Sequence, residues 1–523
     1  MVRATGVTIP LFSIRTRGDW GIGQITDLPV CAAWLMRAGQ RLLQVLPANE
    51  LAEGETSPYG ALSAFAIDPI YITVEQVPLL DEAAIAQALG NEGRAELERL
   101  RGAARVDYRA VRALKKRVLA EAFARFRRTA LATGNMSAQH DFRAFVQKES
   151  AWLSDHALYC ALRASHSFWG WSTWPTAERD RDSELVRLSR DPKDDGALGT
   201  RVLEQMYLQW VAHQQWTMAR GRMNALGVVL MGDMPFIVGS ESADVWANRS
   251  EFRTDVSLGA PPDGFNPEGQ AWGLPAYDWD AMDRNDLAWI RARSRRAAAL
   301  FDRFRIDHVV GFFRQWVRKG HEHGGFVPAD ETAQRARGEK VLRAIIDAAG
   351  PGAVIAEDLG VIPPFARETM ARLGLPGYKV LPWERNEHNV LRDPRAFAPE
   401  SVATFSTHDT APITQWWYDF AAWERESFAQ LAGVRPNETE TESEREFRLI
   451  ELLLSARSNL TLLLVNELIG DKSRINTPGV ISDQNWTWRL PRPIEDLTSD
   501  PNLVQRFERV RALAIAAGRA APV

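Results

Sequence analysis

The sequence predicts an α/β protein, specifically a (β/α)8 TIM barrel with mostly helical insertions. Two observations lead to this fold class. Short apolar segments alternate with helical segments along the chain, which is the pattern of a parallel sheet whose strands are joined by helices. About eight such apolar segments occur, and most of them end in a polar or acidic residue. In a closed parallel barrel the carboxyl ends of all strands lie on one face, where active sites form.

The elements follow in chain order. A segment from about residue 74 to 200 is dominated by Ala, Leu, Glu and Arg at helical spacing, and we predict a helical insertion subdomain there. Residues from about 240 to 285 are predicted to form a lid, an inserted loop over the active-site face of the barrel. We predict that residues 1–523 form a single barrel domain. The predicted strands are Leu42–Leu46, Phe65–Val74, Val228–Met231, Phe304–Ile306, Val354–Ala356, Tyr378–Leu381, Val402–Thr407 and Leu462–Val465.

Composition is that of an ordinary soluble globular protein, with 45% hydrophobic and 25% charged residues. The net charge is −4 and no segment is densely basic, so we expect no nucleic-acid partner. Residues 1–13 lack the apolar core of a secretory signal, and charged residues interrupt the apolar segment Leu452–Leu468. We therefore expect a cytoplasmic protein with no membrane partner.

Tryptophan is unusually frequent, with 19 residues. Six of them lie in polar or Gly/Pro-rich contexts, where a flat aromatic face is expected to contact a ligand. These are Trp20, Trp169, Trp171, Trp174, Trp272 and Trp279. Cys31 and Cys160 lie among apolar residues without a histidine at catalytic spacing, so we assign both to packing. His321-Glu322-His323 lacks further ligands at a recognisable spacing, and we expect no metal.

Arg305 and Asp307 are the first candidates for chemistry. Residues two apart on a strand share one face, and an arginine, which stays protonated, keeps a neighbouring carboxylate ionised. An ionised carboxylate can act as a nucleophile. Taken alone, however, the pair fits a structural ion pair better than a catalytic one.

Three further acidic residues, Asp233, Glu357 and Asp409, end predicted strands, so a barrel would bring four acids to one face. Retaining glycoside chemistry needs a carboxylate nucleophile and a second carboxyl group about 5–5.5 Å away. Glu357 follows three apolar residues, and such surroundings favour the neutral acid that donates a proton.

Four ordered fragments resemble the motifs of the amylomaltases, the 4-α-glucanotransferases of glycoside hydrolase family 77 within the α-amylase superfamily. They are Gly232-Asp233-Met234-Pro235, Arg305-Ile306-Asp307-His308, Ala356-Glu357-Asp358-Leu359-Gly360 and Thr407-His408-Asp409. Further similar fragments lie at 39–47, 57–59, 261–273, 375–381 and 485–489, so the resemblance extends over nearly the whole chain.

The resemblance implies roles for these residues. Asp307 would be the nucleophile, Glu357 the acid/base, and Asp409 the residue that binds sugar hydroxyls. The implied partners are a maltodextrin or α-1,4-glucan donor and a glucose or maltooligosaccharide acceptor, without cofactor or metal. The implied substrate-binding residues are Tyr59, Asp233, Arg305, His408, Asp263, Phe265, Gln270 and Trp272.

We accordingly expect a 4-α-glucanotransferase that works by retaining double displacement through a covalent glycosyl-enzyme. An α-1,4-glucan hydrolase of the same architecture is the second hypothesis, because the two reactions differ only in whether water or a sugar attacks the intermediate. A non-catalytic glucan-binding protein is the third, and the intact carboxylates disfavour it.

The segment 261–273 bears on the choice between transfer and hydrolysis. Its prolines, glycines and aromatic residues predict a lid that excludes water, although an ordinary surface loop is the alternative. Gly264 stands where many family members carry a larger side chain, and Gly54 where some carry a tyrosine of a second glucan site. Acceptor preference and the formation of large cyclic glucans therefore stay open.

Overall fold

The structure, a computed structural model, describes residues 3–132, 136–167, 169–194, 196–262, 269–320, 322–433 and 441–521. The strands are β1 (Ala4–Thr8), β2 (Leu42–Gln44), β3 (Val229–Met234), β4 (Phe252–Arg253), β5 (Ser257–Ala260), β6 (Gln270–Ala271), β7 (Ala276–Tyr277), β8 (Arg303–Ile306), β9 (Gln315–Arg318), β10 (Gly325–Val327), β11 (Val354–Ala356), β12 (Gly377–Val380), β13 (Ser401–Thr404) and β14 (Leu460–Leu464).

The α-helices are α1 (Leu28–Met36), α2 (Glu82–Gly102), α3 (Tyr108–Phe126), α4 (Met136–Ser165), α5 (Thr176–Arg179), α6 (Ser183–Arg190), α7 (Ala197–Ala225), α8 (Ala243–Ala247), α9 (Trp279–Arg284), α10 (Ala288–Leu300), α11 (Glu331–Ala349), α12 (Pro364–Arg372), α13 (Ile413–Asp419), α14 (Ala422–Ala432), α15 (Glu442–Leu454), α16 (Val465–Ile469), α17 (Ile494–Leu497) and α18 (Pro501–Ala516). None of the described helices is both long enough and apolar enough to cross a membrane.

Eight parallel strands close into a barrel in the order β1, β2, β3, β8, β11, β12, β13 and β14, and β14 pairs again with β1. The predicted barrel is confirmed, and its strands follow one another around the sheet in chain order. Side chains rather than solvent fill the interior, as this fold requires. The buried cluster inside comprises Leu42, Met231, Ile355, Tyr378, Val402, Leu460 and Leu462.

One of the eight predicted strands is wrong. Phe65–Val74 forms no barrel strand; it contains the 3-10 turn Pro69–Tyr71, and its last residue begins a second such turn, Val74–Gln76. Pro69 cannot donate a ladder hydrogen bond, and the preceding Asp68 accepts one from the backbone N–H of Ile70 at 3.0 Å. The eighth strand is β1, a five-residue segment of sequence ATGVT that the apolar pattern left unassigned.

Side chains of the insertion helices satisfy the backbone of this misassigned segment. Gln209 on α7 exchanges two hydrogen bonds with Ile67, and Gln215 exchanges two with Thr73. Lys115 on α3 is buried and donates to two further carbonyl groups of the segment. Because these partners come from residues 109–216, local sequence could not reveal them.

The large insertion lies between β2 and β3 and carries α2 to α7. Helices α4 and α7, of 30 and 29 residues, pack along each other and supply its apolar interior. A smaller insertion between β3 and β8 carries β4 to β7, and an antiparallel sheet in the order β10, β9, β5 and β6 joins it to the segment after β8.

Four of the six tryptophans expected at binding surfaces are buried instead: Trp20, Trp171, Trp174 and Trp279. Burial is tolerated where the indole N–H finds an acceptor. Trp20 donates to Glu75 at 2.7 Å, and Trp171 donates to the carbonyl of Ser240 at 2.9 Å. Trp169 and Trp272 are exposed, by 69% and 38%.

Cys160 has a histidine neighbour, which its apolar sequence surroundings did not predict. His156 lies one turn earlier on α4, with its ring nitrogens 3.8 and 3.9 Å from the thiol sulfur. The same ring contacts a carboxylate oxygen of Glu50 at 3.0 Å. Spacing of four residues on a helix places side chains on one face, so this neighbour was visible in the sequence.

A buried ion pair connects the two ends of the chain. The Arg489 guanidinium donates to both carboxylate oxygens of Asp19 at 2.8 Å, and both side chains are at most 1% exposed. Arg489 also donates to the carbonyl groups of Leu100 and Ala103 at the end of α2. Asp19, the end of α2 and the fragment 485–489 are therefore parts of one structural junction.

Replacing one partner of this junction is expected to be costly. Asp19→Ala leaves the Arg489 guanidinium buried without its carboxylate, which lowers the free energy of unfolding by about 3–5 kcal/mol. The control is Asp496→Ala, which removes the acid from the exposed Arg17–Asp496 pair and should leave the free energy of unfolding nearly unchanged. Urea denaturation followed by tryptophan fluorescence measures both. Equal losses in the two variants would contradict the structural role of the junction.

Candidate active site

A cavity of about 680 Å³ opens at the carboxyl ends of the barrel strands. Its walls include the last residues of β1 and β2 and the segments that follow β8, β11 and β13. Its size and mixed polar and apolar walls are those of a small-molecule site. The predicted residues that line it are Tyr59, Trp272, Arg305, Asp307, Glu357, His408 and Asp409.

Strand register brings the charged residues together. Asp233 on β3 lies beside Arg305 on β8, and Ile306 lies beside Ala356 on β11, so Asp307 and Glu357 leave neighbouring strands at one level. Gly232 is needed for this arrangement, because a Cβ atom there would lie 2.4 Å from the Phe301 ring.

Arg305 is the electrostatic centre of the site. One terminal nitrogen donates to both oxygens of Asp233, at 2.8 and 2.7 Å. The other lies 2.8 Å from Asp307 Oδ1 and 3.8 Å from Glu357 Oε2. Arg305 is only 8% exposed, so its charge acts on these acids with little screening by water.

Glu357 is held in place by backbone donors. His308 N donates to Oε2 at 2.7 Å, and Leu359 N donates to Oε1 at 3.1 Å. His308 adopts a left-handed conformation with φ 45°, which is uncommon outside glycine and costs about 1–3 kcal/mol. Burial raises the pKa of Glu357 to about 7, because desolvation outweighs the opposing charge of Arg305.

The separation of the two carboxyl groups limits the chemistry. Asp307 Oδ1 and Glu357 Oε2 both lie near one Arg305 nitrogen, so they are at most about 6.6 Å apart. Inverting glycosidases need about 6.5–9.5 Å to admit a water molecule between the groups, whereas retaining enzymes need about 5–5.5 Å. The upper bound of about 6.6 Å admits the separation found in retaining enzymes and meets the inverting range only at its lower edge.

Tyr59 connects the acids to the opposite wall. Its hydroxyl donates to Asp233 Oδ2 at 2.8 Å and lies 3.0 Å from His408 Nε2. The Tyr59 and His408 rings stack at 5.6 Å, and Trp486 packs against both. Flat rings on one side and acids on the other suit a ring-shaped polar ligand.

Asp409 forms the far side of this wall. Its Oδ1 accepts a hydrogen bond from Asn476 Nδ2 at 2.7 Å, and its Oδ2 lies 3.4 Å from His408 Nε2. Burial by itself would raise the pKa of Asp409, but the charge and hydrogen bond of His408 outweigh it and lower that pKa. The same interaction raises the pKa of His408, although its burial acts in the opposite direction.

Of the other predicted substrate-binding residues, Trp272 lies in the cavity wall, whereas Gln270 and Asp233 do not. Trp272 lines the cavity and packs edge-on against His308 at 5.5 Å. Gln270 does not line it; its side-chain oxygen accepts from the Trp272 indole at 3.0 Å. The Asp233 side chain is fully buried behind Arg305. Asp263 and Phe265, like Gly264 and His321, lie outside the described residues.

Sequence reasoning missed several residues of the site. Tyr378 and Gln44 form part of the cavity floor, with Gln44 Nε2 donating to the Tyr378 hydroxyl at 3.3 Å. Gln44 is the last residue of β2, which is a signal that could have identified it, whereas Tyr378 is the second of the four residues of β12. Trp383 also lines the cavity, from the turn after β12. No local signal marked Asn476.

Known proteins resemble the chain over its full length. A sequence model of glycoside hydrolase family 77, described as 4-alpha-glucanotransferase, matches residues 9–495. The 4-alpha-glucanotransferase of Chlamydia pneumoniae is 30% identical over 507 residues, which cover 94% of this chain and 92% of that protein. The 4-alpha-glucanotransferase of Thermus thermophilus is 32% identical over 496 residues, which cover 90% of this chain and 92% of that protein.

Solved structures agree on the fold. The amylomaltase of Streptococcus agalactiae, in complex with acarbose, superposes with a TM-score of 0.82 at 24% identity, covering 99% of this chain and 100% of that one. The amylomaltase of Corynebacterium glutamicum superposes with a TM-score of 0.78 at 23% identity, covering 98% of this chain and 75% of that one.

Proposed function

The chain belongs to glycoside hydrolase family 77, the 4-alpha-glucanotransferases, and we propose that it transfers α-1,4-glucan segments between maltodextrins through a covalent glycosyl-enzyme. The family establishes the activity class. The donor, the acceptor, the residue roles and the mechanism belong to the proposal. The observation that carries it is the pair of carboxyl groups that share one buried guanidinium group.

Asp307 is the proposed nucleophile. Arg305 contacts its Oδ1 at 2.8 Å, and an opposite charge at this distance stabilises the carboxylate. In the first step a carboxylate oxygen of Asp307 forms a bond to the anomeric carbon of the donor, and the bond from that carbon to the leaving oxygen breaks.

Glu357 is the proposed acid/base. Its raised pKa keeps it protonated near neutral pH, so it can give its proton to the leaving oxygen in the first step. In the second step an acceptor hydroxyl attacks the anomeric carbon, its proton passes to Glu357, and the ester bond to Asp307 breaks. Two inversions at one carbon give net retention.

The other residues are proposed to hold the donor sugar. Asp409 and His408 offer charged hydrogen-bonding groups to sugar hydroxyls, and Tyr59 offers its ring beside His408. Asp233 is proposed to act through its neighbours, because its buried carboxylate orients Arg305 and the Tyr59 hydroxyl. It is therefore a positioning residue.

Transfer requires that water reach the glycosyl-enzyme less easily than a sugar does. We propose that the segment from about residue 240 to 285 serves as a lid on the single barrel domain, with the helical segment 74–200 as a supporting insertion. Trp272, which lines the cavity and packs on His308, supports this role. Hydrolysis stays the second candidate, since Trp272 is still 38% exposed.

Incubation with maltotriose distinguishes the candidate functions. Transfer breaks one glycosidic bond and forms another, so longer oligomers and glucose accumulate while the number of reducing ends stays constant. Hydrolysis gives only shorter sugars and adds a reducing end with each event. We expect maltotetraose or longer products with a smaller rise in reducing ends, measured by chromatography and a reducing-sugar assay. Unchanged maltotriose would exclude both activities.

Glu357→Gln and Asp307→Asn should respond differently to an activated donor. Fluoride leaves without protonation, so α-maltosyl fluoride should restore the first step in Glu357→Gln, with fluoride release at least about 100-fold faster than maltotriose cleavage. Asp307→Asn still lacks the nucleophile and should stay inactive with both donors. A fluoride electrode measures the release. Rescue of Asp307→Asn rather than Glu357→Gln would reverse the assigned roles.

The pH dependence should report the proton on Glu357. Because its pKa is raised to about 7, the acid form is present below that pH and is lost as pH rises through it. The kcat/KM for maltotriose should therefore fall above pH 7. With α-maltosyl fluoride this decline should weaken, whereas a decline caused by His408 would persist with both donors. Initial rates between pH 5 and 9 test this expectation.

A further inference from the structure

A second concavity lies beside the active-site cavity. It encloses about 430 Å³ between the turn after β12 and the helices α13 and α14. We call it the α13 groove. Trp383 lines both the α13 groove and the active-site cavity, so the two are neighbours across one indole ring. Six of the residues that form the α13 groove are Trp383, Arg385, Trp416, Asp419, Phe420 and Glu424.

The lining combines aromatic faces with charged groups. Trp416 and Phe420 pack together at 5.2 Å and form the apolar side. Arg385 donates to Glu424 at 2.7 Å, and Asp419 accepts from Gln415 at 3.0 Å, so the charged groups are held in fixed positions. The Trp416 indole N–H is buried and has no hydrogen-bond partner within the part of the chain that the structure describes.

Two tryptophans at the rim of the α13 groove are about half exposed. Trp383 is 47% exposed, and Trp423, on which the Arg385 guanidinium stacks at 5.0 Å, is 49% exposed. Large exposed aromatic faces beside a concavity mark a binding site more often than a neutral surface. Nothing in the proposed mechanism uses Trp416, Asp419, Phe420 or Trp423.

We propose that the α13 groove binds the glucose units of an α-1,4-glucan that extend beyond the active-site cavity. This inference rests on the proposed function and deepens it by giving the enzyme a preference for longer chains. A pyranose ring presents apolar C–H faces and a rim of hydroxyls, which match aromatic faces and fixed charged acceptors and donors.

The α13 groove adjoins the active-site cavity at Trp383, and this favours a bound glucan chain over a protein partner. A glucan chain that leaves the active-site cavity past Trp383 meets the α13 groove directly, and no separate recruitment is needed. Maltotriose, with three glucose units, is short enough to be held in the active-site cavity. The effect of the α13 groove should therefore grow with chain length.

Two substitutions test the proposal. Trp416→Ala removes an aromatic face, and Asp419→Ala removes an exposed carboxylate without disturbing the core. The matched control is Tyr418→Ala, because Tyr418 is a 54% exposed aromatic residue on the same helix that contacts Glu442 outside the α13 groove. Circular dichroism and thermal unfolding first establish which variants fold.

The measurement is the ratio of kcat/KM for maltoheptaose to that for maltotriose. We expect this ratio to fall about three- to tenfold in Trp416→Ala and less in Asp419→Ala, with maltotriose turnover preserved. Tyr418→Ala should keep the wild-type ratio. An unchanged ratio in a folded Trp416→Ala and in Asp419→Ala would overturn the proposal, as would an equal fall in the control.

Affinity electrophoresis in gels containing amylose tests binding without catalysis. Reduced retardation of both variants relative to wild type and Tyr418→Ala supports the α13 groove, and equal retardation contradicts it. The proposed function fails separately, if wild-type protein leaves maltotriose unchanged or yields only shorter sugars. The two failures are therefore distinguishable.

Discussion

The site depends on one buried cation. Arg305 contacts Asp233 and Asp307 directly and lies 3.8 Å from Glu357, so a single side chain fixes acids that leave three different strands. A buried guanidinium without its carboxylates costs several kcal/mol, and the same holds for a buried carboxylate without its cation. The charges therefore hold one another in position. Chemistry becomes possible because the environments differ: Glu357 receives backbone donors and is desolvated, whereas Asp307 meets the cation at closer range.

The insertion helices stabilise the wall of the site from behind. The segment 65–74 follows the loop that carries Tyr59, and its backbone is bonded by Gln209, Gln215 and Lys115 rather than by a neighbouring strand. The Tyr59 hydroxyl in turn contacts Asp233 and lies beside His408. The large insertion therefore holds the backbone of residues 65–74, and six residues earlier in the chain Tyr59 contacts the acids at the barrel mouth.

Under the proposed mechanism, the surroundings of the acids, rather than the acids themselves, decide between transfer and hydrolysis. Both reactions share the glycosyl-enzyme, and they differ in how easily water and a sugar hydroxyl reach it. Trp272 covers the side of His308, and Trp383 separates the cavity from the α13 groove. In the proposed mechanism, aromatic residues at both positions favour a sugar over water, because a pyranose gains contact with a flat ring that a water molecule cannot use.

The sequence by itself determined the barrel, seven of its eight strands and the proposed acids, because alternating apolar segments that end in Asp or Glu depend only on local order. It failed at Phe65–Val74, whose apolar residues resemble a strand but whose backbone partners are distant side chains. It also misplaced four tryptophans, because their burial depends on how distant parts of the chain pack around them. Only the tertiary structure decided that Arg305 binds Asp233 as well as Asp307. It also decided that Asn476 donates a hydrogen bond to Asp409 and that the α13 groove adjoins the active-site cavity. Those facts depend on strand register and loop packing, which no local pattern encodes.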